Sequence, residues 1–313
     1  MPRSDDDGRP PNAFAYAFPM QRTCLIVGCG YVGRRLARRP GPGSRIIALV
    51  RSTTSAATLH ADGVETMTVD LDEAVIADAL RGAARGAAIV YLAPPPDTGS
   101  TDARMAGFLA ALGDVRPAVL LYVSTTGVYG DAGGALVTEA TPVAPGNDRS
   151  RRRVDAETMA AEWCSAQGTR CVILRVPGIY GPGRLPIERL QRGEPALRPE
   201  DAGPGNRIHV DDLVSACRAA LERPVVGVFN VGDGNHASTT TYLQRVAALA
   251  NLPPPRLVSM EEARATISPG LLAFLVESRR IDNRRMLGEL GVRLAYADLD
   301  AGIAASLAEM RPG

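Results

Sequence analysis

Residues 24–39, CLIVGCGYVGRRLARR, set Gly28-Cys29-Gly30-Tyr31-Val32-Gly33 directly after an apolar run and at the opening of a helix-like stretch. In that strand–turn–helix setting the spacing G-x-G-x-x-G reads as a dinucleotide-binding turn. Gly28 permits the tight turn, Gly30 lets the backbone approach a pyrophosphate, and Gly33 lets the helix pack closely on the strand. The helix N-terminus then offers free N–H groups and a partial positive charge to the phosphates. Cys29 is expected as a small filler between two glycines, not as a redox switch, and Tyr31 and Val32 complete the turn.

A second stretch, Arg51-Ser52-Thr53, closes the next apolar run, RIIALV. Sites for NAD usually carry an acidic residue there, which holds the ribose 2′-hydroxyl and would repel a 2′-phosphate. A guanidinium flanked by two hydroxyls favours that phosphate instead, so NADP(H) is expected over NAD(H). Asp70, after TMTV, is placed to hydrogen-bond adenine, while Ala93 and Pro94 in YLAPPP are placed along the adenosine side of the cleft.

Composition narrows the chemistry. All 35 basic residues are arginine and the chain has no lysine, which excludes a lysine Schiff base, a P-loop phosphate lysine and any lysine-assisted tyrosine. The five cysteines show no C-x-x-C spacing and the three histidines lie far apart, so neither a disulfide framework nor a metal site is signalled. A net charge of +1 implies no general attraction to nucleic acid or membrane, and no apolar run approaches the roughly 20 residues of a bilayer span. The expected partner is a small molecule, the expected location cytoplasmic, and a homodimer is compatible with both.

The elements that must position these residues follow from seven apolar runs: CLIVG, RIIALV, ETMTVDL, AIVYLAP, AVLLYVS, RCVILRV and VVGVFNV. Each is nearly continuously apolar, as strands buried on both faces are, and helix-length segments separate them. The pattern predicts an α/β fold, a doubly wound parallel sheet of Rossmann type with a smaller, mainly helical C-terminal lobe. Val154, Met159 with Ala160, and Trp163 are predicted to face the sheet from the helix before RCVILRV. Residues 1–20, polar and rich in proline, are expected as a disordered leader. The dinucleotide-binding domain is expected over 21–180 plus about 208–232. The substrate lobe is expected over about 181–207 and 233–313, with helices and no buried strand after about Asn235.

Together GCGYVG, VDLD, YVSTTGVYGD, RVPGIYGPGR and NRIHVDDL make residues 22–232 similar to the short-chain dehydrogenase/reductase superfamily, in its extended branch of NAD(P)-dependent epimerases and dehydratases. The resemblance implies that Thr125, four residues before the VYG tyrosine, hydrogen-bonds the substrate oxygen. It implies contacts to the cofactor from Pro177. Thr126-Gly127 stands where 4-keto-sugar dehydratases carry an Asp-Glu pair, which disfavours water elimination. The family's Tyr-xxx-Lys pair aligns with Arg149 and Arg153. Arg153 can still supply charge and ribose contacts, but an arginine, with a pKa above about 12, is a poor acid. The pattern resembles the superfamily's atypical branch, and Tyr129 and Tyr180 are the phenols available as substitute proton donors.

Two readings stand side by side. One is an NADP(H)-binding oxidoreductase or epimerase-like enzyme acting on a small polar carbonyl or alcohol, in one form a nucleotide-sugar-like substrate. The other is a catalytically silent NADP(H)-binding sensor.

Overall fold

The computed structural model describes residues 23–40, 43–73, 77–266, 272 and 277–310. Residues 1–20, expected as a leader, lie outside them. Seven parallel strands form the central sheet: β1 (Thr23–Val27), β2 (Arg45–Val50), β3 (Glu65–Thr68), β4 (Ala88–Tyr91), β5 (Val119–Thr125), β7 (Arg170–Val176) and β11 (Gly227–Asn230). Their order is β11-β7-β5-β4-β1-β2-β3, all seven apolar runs having become neighbours in one sheet. The chain leaves β1 outward through β2 and β3, then returns to β4 on the other side. The connections therefore diverge at the C-terminal ends of β1 and β4, where open α/β sheets bind their ligands.

Both faces of the sheet are covered, which explains the unbroken apolar runs. Alternate residues of a strand point to opposite faces, and the core divides accordingly: Ile26, Ala48, Val90 and Leu121 on one side, Leu25, Ile47, Ile89 and Leu120 on the other. Helices α1 (Tyr31–Ala37), α2 (Thr53–Ala61) and α7 (Val210–Glu222) contribute Leu36, Leu59 and Leu213 to the first layer. Helices α3 (Ala77–Ala84), α4 (Ala103–Leu112) and α5 (Asp148–Gln167) contribute Leu80, Phe108 and Ala156 to the second.

Helix α5 meets the sequence expectation at Ala160 and otherwise turns its sheet-facing side differently. Ala156, Ala160 and Cys164 are the fully buried positions, while Met159 and Trp163 pack half-buried at the margin of that core and Val154 packs against Tyr129. Small side chains let the helix approach the sheet, and the large ones fill its flanks. Asn147 starts α5 by accepting the Ser150 N–H at 2.9 Å, and Gly168 ends it in the left-handed conformation.

A further apolar cluster lies in the C-terminal part, where α6 (Ile187–Gln191), α8 (Thr239–Leu249) and α11 (Leu299–Met310) bury Leu190, Leu243, Val246 and Ile303. Helices α9 (Met260–Thr266) and α10 (Arg284–Gly288) complete the described helices of that part. Strands are present after Asn235, contrary to expectation, but they are two-residue bridges too short to show a period. β12 (Leu257–Val258) pairs with β9 (Ala196–Leu197), and β13 (Arg280–Ile281) with β6 (Leu136–Val137). A third pair joins β8 (Gly178–Tyr180) to β10 (Arg207–His209). Among the described residues no helix is long and apolar enough to cross a membrane.

Candidate active site

A cleft of about 940 Å³ runs along the C-terminal ends of the central strands, with the glycine turn as its floor. Each glycine has its own steric reason. Gly28 has φ +83°, and a Cβ there would lie 2.6 Å from the Ala93 nitrogen. A Cβ on Gly33 would meet Ile26 and Cys29 at 3.2 Å, so this glycine sets the closeness of α1 to β1. A Cβ on Gly30 would meet nothing within 4 Å and would project into open space that a diphosphate needs. Cys29 is buried and its thiol is pushed up to about 11 by that burial, which keeps it protonated. Val32 joins the wall, and the Tyr31 hydroxyl donates to the Pro182 carbonyl at 2.9 Å under the Arg184 guanidinium, 4.4 Å from its ring centre.

At the β2 end Arg51 and Ser55 line the cleft, joined by Arg34 and Arg38 from α1. Ser52 caps α2 by accepting the Ser55 N–H at 3.2 Å, and Thr53 begins that helix, exposed. Arg38 is tied to Asp62 at 2.8 Å, whereas the Arg34 Nε is buried with no hydrogen-bond partner among the described residues. Pro94 lines the cleft, and Ala93 lies buried under Gly28. Asp70 is not part of the described wall; its carboxylate accepts the Asp72 N–H at 3.0 Å. Seven arginines and no Asp or Glu line the cleft among the described residues.

At the β5 end the wall comprises Ser124, Thr125, Arg149, Arg153 and Pro177. Thr125, the last residue of β5, accepts the Gly127 N–H at 3.1 Å, which fixes its Oγ1 at the strand end. Arg153 reaches from α5 over that strand to the Tyr122 hydroxyl at 3.1 Å and the Val123 carbonyl at 3.3 Å. Arg149, one turn earlier, is exposed at the cleft.

Neither proposed phenol is in the cleft wall. Tyr129 is 3% exposed, donates to Asn230 Oδ1 at 2.7 Å, and burial raises its pKa. Tyr180 is 2% exposed and sits edge-on to His209 and Tyr242, at 5.2 and 6.0 Å, with its hydroxyl against Gly302 of α11. Burial pushes its pKa well above the ordinary tyrosine range. Tyr129 is thus packed away from the cleft, while Tyr180 lines the smaller pocket that opens beside it. His209 is 1% exposed and its Nδ1 accepts the Asp211 N–H at 3.2 Å, capping α7.

The sequence reading missed the buried polar network behind Thr125. Ser124 donates to Glu157 at 2.6 Å, and Glu157 pairs with Arg175 at 2.7 Å, both side chains 8% exposed. Arg175 lies over the Tyr129 ring at 4.8 Å, and Glu139 receives the Asn230 N–H at 2.8 Å. The network locks the end of β5 to α5, β7 and β11. It also missed Arg34 and Arg38; their i, i+4 spacing immediately after the turn was the available signal.

A smaller pocket of about 290 Å³ opens beside the cleft and shares Pro177, Ile179 and Arg184 with it. Thr126, Tyr180, Arg207, Tyr242 and Arg279 line its interior.

Residues 24–232 match the NAD dependent epimerase/dehydratase family. Protein YeeZ of Escherichia coli K12 is 26% identical over 282 residues, covering 87% of this chain and 96% of that protein. A solved structure of a conserved protein of unknown function from Silicibacter pomeroyi DSS is 31% identical, with TM-score 0.76, covering 92% of this chain and 99% of the other. UDP-glucuronic acid 4-epimerase from Bacillus cereus, solved with NAD, shares the fold at 16% identity and TM-score 0.74, covering 93% and 100%.

Proposed function

The chain belongs to the NAD dependent epimerase/dehydratase family, and on that premise we propose that it is an NADP(H)-dependent oxidoreductase or epimerase-like enzyme acting on a small polar carbonyl or alcohol. The observation that carries this reading is the cleft itself: a glycine turn with room for a diphosphate, walls rich in arginine, and no carboxylate among the described lining residues. An NAD site of the acidic type would need a carboxylate after β2. Here Arg51 stands there, and Arg34 and Arg38 face the same end, a setting for a 2′-phosphate. The bound dinucleotide supplies the hydride chemistry.

The chain's own residues handle the substrate oxygen. Thr125 Oγ1 hydrogen-bonds it, and Arg149 and Arg153 stabilise the negative charge that builds there, the task that fixed cationic donors perform best in a water-poor site. Their own acidity is too low for proton transfer, so they serve as charge stabilisers and the proton reaches the oxygen from another group. Tyr129 and Tyr180 are both buried and neither lines the cleft itself, though Tyr180 lines the adjoining smaller pocket. That same burial favours a second reading, a catalytically silent NADP(H) sensor. Following NADPH absorbance with a panel of carbonyl compounds separates the two. Turnover that falls sharply in Thr125→Ala supports the enzyme; unchanged binding with no turnover in either protein supports the sensor.

A further inference from the structure

We propose that the substrate is a compact carbonyl acid, carrying a carboxylate or phosphate group and no nucleotide, whose anionic end seats at Arg207. This inference rests on the oxidoreductase reading and names its substrate class.

Arg207 is 8% exposed and belongs to the wall of the small pocket. Its guanidinium donates to the Ala237 carbonyl at 2.6 Å and the Ser238 carbonyl at 3.3 Å, and lies 4.4 Å from the Tyr242 ring centre. Among the described residues it forms no ion pair. A buried guanidinium without a counter-charge is costly, and an anion entering the pocket relieves that cost. The nearest carboxylate influence is Asp233, whose own backbone N–H donates to the Arg207 carbonyl at 2.9 Å. Burial pushes Asp233 up to about 7, which weakens it as a counter-ion near neutrality. Around Arg207 the pocket adds Arg184, Arg189 and Arg279 against one acid, Glu277. Glu277 is already engaged by Arg279 at 2.6 Å.

Size separates this substrate from a nucleotide sugar. The pocket's 290 Å³ is about a third of the 940 Å³ cleft that serves a dinucleotide. A nucleotide sugar carries a base, a ribose, two phosphates and a hexose, and demands far more than that. A short carbon skeleton fits between Leu197, Pro204 and Leu243. Its acid end then meets Arg207, and its carbonyl end points toward Thr126 and the neighbouring Thr125 where pocket and cleft join.

The test is a set of binding titrations by calorimetry, with and without saturating NADPH, using inorganic phosphate, pyruvate and UDP-glucose as probes. The expected result is that phosphate or pyruvate binds the wild-type protein and UDP-glucose binds more weakly than the better of them. Which small anion wins identifies the head group. Arg207→Gln is expected to weaken that anion by at least about tenfold, the loss of a hydrogen bond to a charged group, with NADPH affinity unchanged; Arg207→Lys is expected to recover part of it. UDP-glucose binding tighter than both anions, or no small anion binding, overturns the proposal. Should Arg207→Gln fail to fold, Arg207→Lys takes its place, and a folded Arg207 variant that binds the anion as tightly as wild type also overturns the proposal. Failure of NADPH to bind sinks the cofactor reading instead, and the difference between wild type and the Arg207 variant without NADPH still judges the pocket.

Discussion

Gly28 and Gly30 are two residues apart and should respond to alanine in opposite ways. At Gly28 the backbone has φ +83°, where an L-residue costs about 1–2 kcal/mol. The added Cβ would also lie 2.6 and 2.7 Å from the Ala93 nitrogen and Cα, an overlap in packed backbone costing about 1–3 kcal/mol more. Gly28→Ala is therefore expected to lose about 2–5 kcal/mol of stability. At Gly30 the Cβ would meet nothing within 4 Å, so Gly30→Ala should lose clearly less stability than Gly28→Ala. That methyl group instead occupies the approach of the diphosphate to the backbone. NADPH affinity should fall about ten- to a hundredfold, as expected for losing one or two charge-assisted hydrogen bonds. Urea unfolding with an unchanged m-value reads the first effect and nicotinamide fluorescence titration the second. Equal destabilisation by both variants, or wild-type NADPH affinity in Gly30→Ala, would refute the assignment of the turn.

Glu157→Gln strands Arg175 in the core and should cost about 3–5 kcal/mol in urea unfolding, with Glu157→Gln/Arg175→Met less damaging than the sum of the single changes. An additive double variant would show that the pair does not act as a unit. Tyr129→Phe loses only the bond to Asn230 and should cost about 1–2 kcal/mol while leaving any kcat nearly unchanged; a collapse of kcat would return this phenol to the chemistry. Asp233 predicts a pH effect. Burial lifts its pKa from the ordinary 3.8 to about 7 against the opposing influence of Arg207, with Asp212 also near. The native state thus keeps a proton that the unfolded chain releases, so stability is fully present below about pH 4 and declines as pH rises through about 7. Asp233→Asn should flatten that decline in thermal melts recorded across the range, and an unchanged slope would contradict it.

The sheet was legible because its central strands β1, β4, β5 and β7 are largely buried on both faces and so are written as unbroken apolar runs, although β3, at the edge, has no buried residue. The glycine turn was legible because close approach of backbone to backbone, and of backbone to ligand, demands glycine at fixed intervals. The side chains brought in from afar were not. Tyr129 and Tyr180 looked available because a phenol near an active-site strand carries no mark of its orientation. Asn230, a hundred residues beyond Tyr129, claims one ring, and Gly302 closes over the other. The Glu157–Arg175 pair was hidden for the same reason, since its members are ordinary charged residues until α5 lies across β7. The bridges β12 and β13, at two residues each, were below the length at which any period shows.

Titration of the purified protein with NADPH and NADH, beside an Arg51→Asp variant, reads the cofactor preference of the cleft. NADPH should bind more tightly than NADH, and the variant should lose that preference, through repulsion of the 2′-phosphate, while retaining NADH. Binding of neither nucleotide, or an Arg51→Asp protein that still prefers NADPH, would contradict this expectation.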